Sequence, residues 1–217
     1  MASSNTLRIT EIFHSLQGEA RTVGKPTVFV RLTGCPLRCQ YCDTAYAFEG
    51  GELLSLEAIC AAIEKYKSKL VTVTGGEPLA QPNCNALMAM LCDAGYLVSL
   101  ETSGVISIED VDERVSIVLD LKTPGSQECD TIRYENFGHL RMKDQVKFVI
   151  CDRTDYEWSK AKLDQLDLDN KVGEILFSPS YEELGAAELA KWVLCDALNV
   201  RVQLQLHKVI WGAEPGR

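Results

Sequence analysis

The stretch Thr27-Val28-Phe29-Val30-Arg31-Leu32-Thr33-Gly34-Cys35-Pro36-Leu37-Arg38-Cys39-Gln40-Tyr41-Cys42-Asp43-Thr44 joins a β-branched, apolar run to three cysteines spaced C-x3-C-x2-C. Such a run reads as a buried strand, and Gly34 ends it. Further runs of this kind lie at Leu70–Thr74, Leu97–Glu101, Ser116–Leu121, Gln145–Ile150, Glu174–Ser178 and Arg201–Leu206. Between several of them stand helical patterns. Leu56, Ile59, Ile63 and Tyr66 recur at helical spacing after a Ser55 N-cap. Leu87, Met90 and Leu91 do so before Gly95, and Leu184, Ala187, Leu189, Trp192 and Val193 form a looser third set. Residues 109–114 and 134–142 show no usable period. Strands alternating with helices predict an α/β chain with a parallel sheet. Six or seven strands are too few for a closed eight-stranded barrel, which leaves a partial barrel or an open doubly wound sheet.

No repeat or linker divides the sequence, so residues 1–217 are expected to form one domain. A net charge of −9 without a basic tract argues against a nucleic-acid partner, whose phosphates need Lys and Arg. No apolar run approaches the roughly 20 residues of a membrane span. The first eight residues hold no apolar signal core, so the expectation is a cytoplasmic protein. In that setting the nine cysteines are expected as thiols or metal ligands. Cys60, Cys84, Cys92, Cys129, Cys151 and Cys195 stand singly and read as small apolar side chains.

The remaining three lie within one short loop. Structural zinc needs four ligands and usually draws them from paired modules; here no second pair exists, and His14, His139 and His207 stand alone. A 4Fe–4S cluster held by three thiolates keeps one iron open to a ligand. With Tyr41 before the last cysteine, and with Thr74-Gly75-Gly76-Glu77-Pro78 ending the next strand, the chain resembles the radical S-adenosylmethionine superfamily. That resemblance implies a cluster on Cys35, Cys39 and Cys42, with S-adenosylmethionine chelated on the open iron as the source of a 5′-deoxyadenosyl radical.

Three more segments narrow the likeness: Glu11-Ile12-Phe13-His14-Ser15-Leu16-Gln17-Gly18-Glu19, Cys42-Asp43-Thr44, and Leu204-Gln205-Leu206-His207-Lys208. With them the chain is similar, from about residue 8 to 212, to the 7-carboxy-7-deazaguanine synthase family. The resemblance implies an incomplete TIM-type barrel of about six parallel strands. It also implies ring contraction of 6-carboxy-5,6,7,8-tetrahydropterin to 7-carboxy-7-deazaguanine with loss of ammonia, on the route to queuosine. S-adenosylmethionine is regenerated, Mg²⁺ is required, a flavodoxin-like or ferredoxin donor supplies the electron, and the enzyme is a homodimer. By position, Leu16, Gln17, Gly18, Arg31, Thr74 and His207 match substrate contacts. Tyr41, Cys42, Asp43, Gly76, Asp120, Leu121, Lys122, Ser178, Pro179, Ser180 and Tyr181 match cofactor positions, and Thr44 matches the magnesium ligand. No side chain is assigned as catalytic, because the cofactor generates the radical.

Two departures stand out. Ala20 occupies a position where the family commonly has glycine. Some members end shortly after the histidine, with the terminal carboxylate at the site, whereas this chain runs on through Trp211-Gly212-Ala213-Glu214-Pro215-Gly216-Arg217. Two readings share part of the pattern: a glycyl-radical activase, with the same cysteine loop, and a metal-stabilised or electron-carrying binding module.

Overall fold

A computed structural model describes residues 5–212, 214 and 216. Met1 to Ser4 and the tail positions 213, 215 and 217 lie outside the described residues. Nine strands form one sheet in the order β3-β1-β2-β4-β5-β6-β7-β8-β9. They are β1 (Thr6–Leu16), β2 (Pro26–Leu32), β3 (Glu52–Ser55), β4 (Leu70–Gly75), β5 (Leu97–Thr102), β6 (Ser116–Asp120), β7 (Gln145–Ile150), β8 (Glu174–Pro179) and β9 (Arg201–Val202). From β2 to β9 all pairings are parallel, while β1 and β3 run antiparallel at one side. The two edges do not meet, so the sheet is an open partial barrel with six full parallel strands and a two-residue seventh.

Helices α1 (Leu56–Glu64), α2 (Cys84–Asp93), α3 (Arg153–Leu166), α4 (Ala186–Cys195) and α5 (Leu206–Trp211) complete the fold. Ser55 Oγ caps α1 by accepting from the Ala58 amide at 3.2 Å. The parallel strands from β2 to β8 alternate. Val28, Val30, Leu32, Val71, Val73, Leu100, Leu119, Val146, Phe148, Ile150 and Phe177 are buried in a core shared with α1 to α4. The opposite phase of the same strands carries Arg31, Thr74, Glu101, Asp120 and Lys147, with Arg31 paired to Thr74 and Asp120 to Lys147 in register. One face therefore makes the core, and the other is polar.

Four regions differ from the sequence reading, the short edge strand β3 (Glu52–Ser55) among them. β1 was not expected, because a register shift between Ile9 and Glu11 flips its side-chain phase and erases the alternation. α3 escaped because its buried positions include Asp155 and Ser159. The strand expected at Arg201–Leu206 stops at Val202, and α5 begins at Leu206, so His207 sits in a helical first turn and not on a strand end. Gln203 still donates its main-chain amide to Phe177, while the side-chain amides of Gln203 and Gln205 turn onto a neighbouring loop.

Phe177 is fully buried and meets Phe148 edge-on at 5.3 Å and Tyr156 at 6.0 Å. Phe177→Ala should cost about 3–5 kcal/mol in urea unfolding. Leu194→Ala, at a position 78% exposed, should change stability by less than about 0.5 kcal/mol.

Candidate functional site

The polar face of the sheet bounds a cavity of about 630 Å³. The carboxyl ends of the parallel strands deliver its wall: the cysteine loop after β2, Gly75 and Gly76 at β4, Thr102 and Ser103 at β5, Lys122 after β6, and Ser180 to Glu183 after β8. The floor is different. Leu16 pairs with Pro26, at the amino-terminal end of β2, and the loop 17–21 then crosses beneath the sheet. There the Arg21 amide donates to Gln145 Oε1 at 2.7 Å, at the start of β7.

Cys35, Cys39 and Cys42 are half-buried, unpaired and all on the cavity wall. Arg38 braces their loop: its Nη1 donates to the Cys35 and Leu37 carbonyls, both at 2.7 Å, and its guanidinium lies 4.2 Å from the Phe48 ring centroid. The Arg38 amide donates to Glu128 Oε1 at 2.6 Å. Gly76 lets the next loop close on this one, since a Cβ there would stand 2.1 Å from the Gly34 carbonyl oxygen. Glu77 is wholly buried and accepts from Thr102, from Ser103 (amide and hydroxyl) and from the Leu79 amide, so it ties strand ends together.

Among the described residues, no three His, Cys, Asp or Glu side chains converge on one ion position. A 4Fe–4S cube takes each thiolate on a different iron, and one short loop brings three thiols to the same cavity wall. Burial pushes the Cys39 thiol up to about 11, against the pull of Lys122, and raises Cys35 as well. Bound metal would supply the positive charge that ionises them. The wall also holds a buried acceptor without a hydrogen-bond partner, Asp120 Oδ1. An unpaired buried carboxylate oxygen is costly, and a donor from a bound group would satisfy it.

Ionic pairs join floor to wall. Lys147 Nζ lies 2.5 Å from Glu19 Oε2 and 3.2 Å from Asp120 Oδ2; Lys122 Nζ stands 3.3 Å from the same Asp120 oxygen. Burial alone would lower the Lys147 pKa, but Asp120 and Glu19 hold it well above the usual lysine value. Asp43 likewise stays far below the ordinary carboxylate range: Lys208, 2.9 Å away, overcomes the effect of burial. Glu101 has no such direct cation, and burial raises it. Arg31 Nε donates to Glu11 Oε1 at 2.7 Å, where Tyr46 Oη also donates at 2.8 Å. Among the described residues this pair engages one edge of the guanidinium and leaves its two terminal nitrogens.

The expected substrate set meets in this cavity: Leu16, Gln17, Gly18, Arg31, Thr74 and His207 all line it. The Gln17 amide, however, is largely occupied within the floor. Its Nε2 donates to Thr72 and Glu101, and its Oε1 accepts from the Glu19 amide. His207 presses on Gly18 so closely that a Cβ there would lie 1.9 Å from Nδ1. Burial lowers the His207 pKa, keeping the ring neutral near pH 7. Of the cofactor positions, Tyr41, Cys42, Asp43, Gly76, Asp120, Lys122, Ser180 and Tyr181 line the cavity. Leu121 is in the apolar core; Ser178 is buried on the same side of the sheet as the lining residue Val149, and neither it nor Pro179 lines the cavity. Thr44 Oγ1 donates to Asp43 Oδ1 at 2.9 Å, which leaves its oxygen free to accept or coordinate. Lys147, Glu101, Glu11, Tyr46 and Arg38 are additions that local sequence did not single out.

The chain matches the radical SAM superfamily over residues 29–125. It is 42% identical to the 7-carboxy-7-deazaguanine synthase of Koribacter versatilis, across 96% of this chain and 98% of that one. With the synthase of Chlorobaculum tepidum it shares 38% identity, across 99% and 98%. Its structure is similar to the crystal structure of QueE from Escherichia coli, with a TM-score of 0.75 and 25% identity over 94% of this chain and 99% of that one. A likeness of fold alone extends to Streptococcus suis SuiB, at TM-score 0.60 and 14% identity over 82% and 48%.

Replacing Lys147 by Met leaves Glu19 without its cation and Asp120 with Lys122 alone. Unfolding should show a loss of about 3–5 kcal/mol at pH 7. The loss should shrink as the pH falls and Asp120 takes up a proton. Lys160→Met, which breaks a surface pair with Asp196, should cost no more than about 1 kcal/mol.

Proposed function

The chain belongs to the 7-carboxy-7-deazaguanine synthase family of radical S-adenosylmethionine lyases, and we propose that its cavity converts 6-carboxy-5,6,7,8-tetrahydropterin to 7-carboxy-7-deazaguanine and ammonia. The observation that carries this reading is one cavity bounded both by the three thiols and by a half-engaged Arg31 guanidinium. Cys35, Cys39 and Cys42 hold the 4Fe–4S cluster. When bound, cluster and S-adenosylmethionine together supply the radical that abstracts substrate hydrogen.

The protein's share is binding and aim. Arg31 takes the substrate carboxylate on its two terminal nitrogens while Glu11 fixes the plane of the fork. Main-chain groups of Leu16 to Gly18 receive the pterin edge, with Gln17 holding their path through Thr72 and Glu101. Thr74 and neutral His207 complete that wall. Asp120 Oδ1 accepts from the cofactor, Lys122 and Asp43 flank it, and the main chain of Gly76, Leu121 and Ser178 to Tyr181 approaches it. Mg²⁺ is a hard cation that keeps several waters, so the Thr44 hydroxyl beside substrate oxygens suits it. A flavodoxin-like or ferredoxin donor, a homodimer and a cytoplasmic setting accompany this reading. No described helix is long and apolar enough to cross a membrane.

Anaerobically reconstituted protein with S-adenosylmethionine, Mg²⁺ and a reductant should turn the carboxytetrahydropterin into carboxydeazaguanine. Arg31→Gln should raise KM for the pterin roughly 10- to 100-fold, the worth of charge-assisted hydrogen bonds. No turnover of this pterin together with activity on a protein glycine would transfer the reading to a glycyl-radical activase.

A further inference from the structure

Ala20 is buried, yet it holds a left-handed backbone with φ of 59°. Alanine avoids that conformation because its Cβ crowds the following carbonyl. The neighbours explain how it is kept there. The Ala20 amide donates to Gln203 Oε1 at 2.7 Å, and Gln203 Nε2 donates back to the Ala20 carbonyl at 3.0 Å. One side-chain amide thus grips both polar groups of one residue, as a neighbouring strand would. Gln203 is itself 5% exposed and anchored, its own amide donating to the Phe177 carbonyl on β8 at 2.9 Å.

The grip sits where the cavity floor turns. Glu19 precedes Ala20 and carries the ion pair to Lys147, and Gln205 Nε2 donates to its other oxygen at 2.6 Å. The Leu206 amide donates to the Gly18 carbonyl at 2.9 Å. Residues 203–206 thereby act on the main chain or side chains of three successive floor residues. Rotating the Ala20 peptide out of its left-handed state would swing Gly18 and Glu19 away from their partners.

We propose that Gln203 is a positioning residue for substrate: by clamping Ala20 in the left-handed conformation it holds the Leu16–Glu19 floor on which the pterin lies. It does not itself line the cavity, and the floor reaches the cofactor wall only through Lys147 and Asp120, so its effect falls first on the pterin. The inference rests on the assignment of that floor to the pterin.

The test compares Kd values for carboxytetrahydropterin and for S-adenosylmethionine, measured anaerobically on cluster-loaded protein, with amide hydrogen exchange at residues 18–21. Q203A should weaken pterin binding roughly tenfold, the scale expected of a misplaced binding group. It should weaken S-adenosylmethionine binding far less and speed exchange in the loop. A20G placed in the Q203A background should recover most of the pterin affinity, because glycine takes the same φ without the clamp. Q203E substitutes if Q203A does not fold; it keeps the acceptor but sets a carboxylate oxygen against the Ala20 carbonyl. Unchanged pterin binding, an equal loss for both ligands, or no recovery with A20G would overturn the proposal. Wild-type protein that binds S-adenosylmethionine but not the pterin would instead refute the floor's assignment, and unchanged loop exchange in Q203A would then overturn the clamp as well.

Discussion

The Lys147 ammonium sits between Glu19 and Asp120 on the polar face of the sheet, and much of the site's geometry depends on that contact. Glu19 belongs to the floor, which arrives from the amino-terminal ends of the strands. Asp120 belongs to the wall, at their carboxyl ends. A buried ammonium between two carboxylates is stable only with its partners in place, because each charge has given up most of its water. The pair therefore fixes the spacing between the two halves of the cavity as well as balancing charge.

This arrangement is possible because the parallel strands are asymmetric. Parallel sheets are usually apolar on both faces, since helices cover both. Here α1 to α4 share a core with one face, and the partial barrel leaves the other to the cavity. Charges on the open face are only partly compensated. Arg31 keeps two nitrogens beyond its pair with Glu11, Asp120 Oδ1 has no hydrogen-bond partner, and Glu101 is pushed up by burial without a direct cation. Such incompletely satisfied groups are what a binding cavity presents before its ligands arrive.

The backbone of this organisation was legible because its signals are local. An apolar run ending in Gly34 and three closely spaced cysteines locate both β2 and the loop above it. The serine cap and apolar spacing of α1 are equally local. β1 was hidden by its bulge, and α3 by Asp155, a buried carboxylate that accepts from Thr123, Gly125 and Cys151. Lys147 and Glu101 did leave a trace: each is a lone charge in an otherwise strand-like run, and both fall in the inward phase. The role of Gln203 left none, because it comes from a contact across nearly the whole chain. The family likeness covered most of the cavity wall, but it could not say that the Gln17 amide is already engaged or that Leu121 points into the core.

The central claim is that three thiols hold a cluster whose fourth iron is open to S-adenosylmethionine. Electron paramagnetic resonance of the anaerobically reconstituted, reduced protein tests it most directly, with iron, sulfide and zinc measured on the same sample. The account expects about four irons and four sulfides per chain, the complement of one cube, and a reduced-cluster signal that changes when S-adenosylmethionine is added. About one zinc without iron, or a cluster signal indifferent to S-adenosylmethionine, would contradict it.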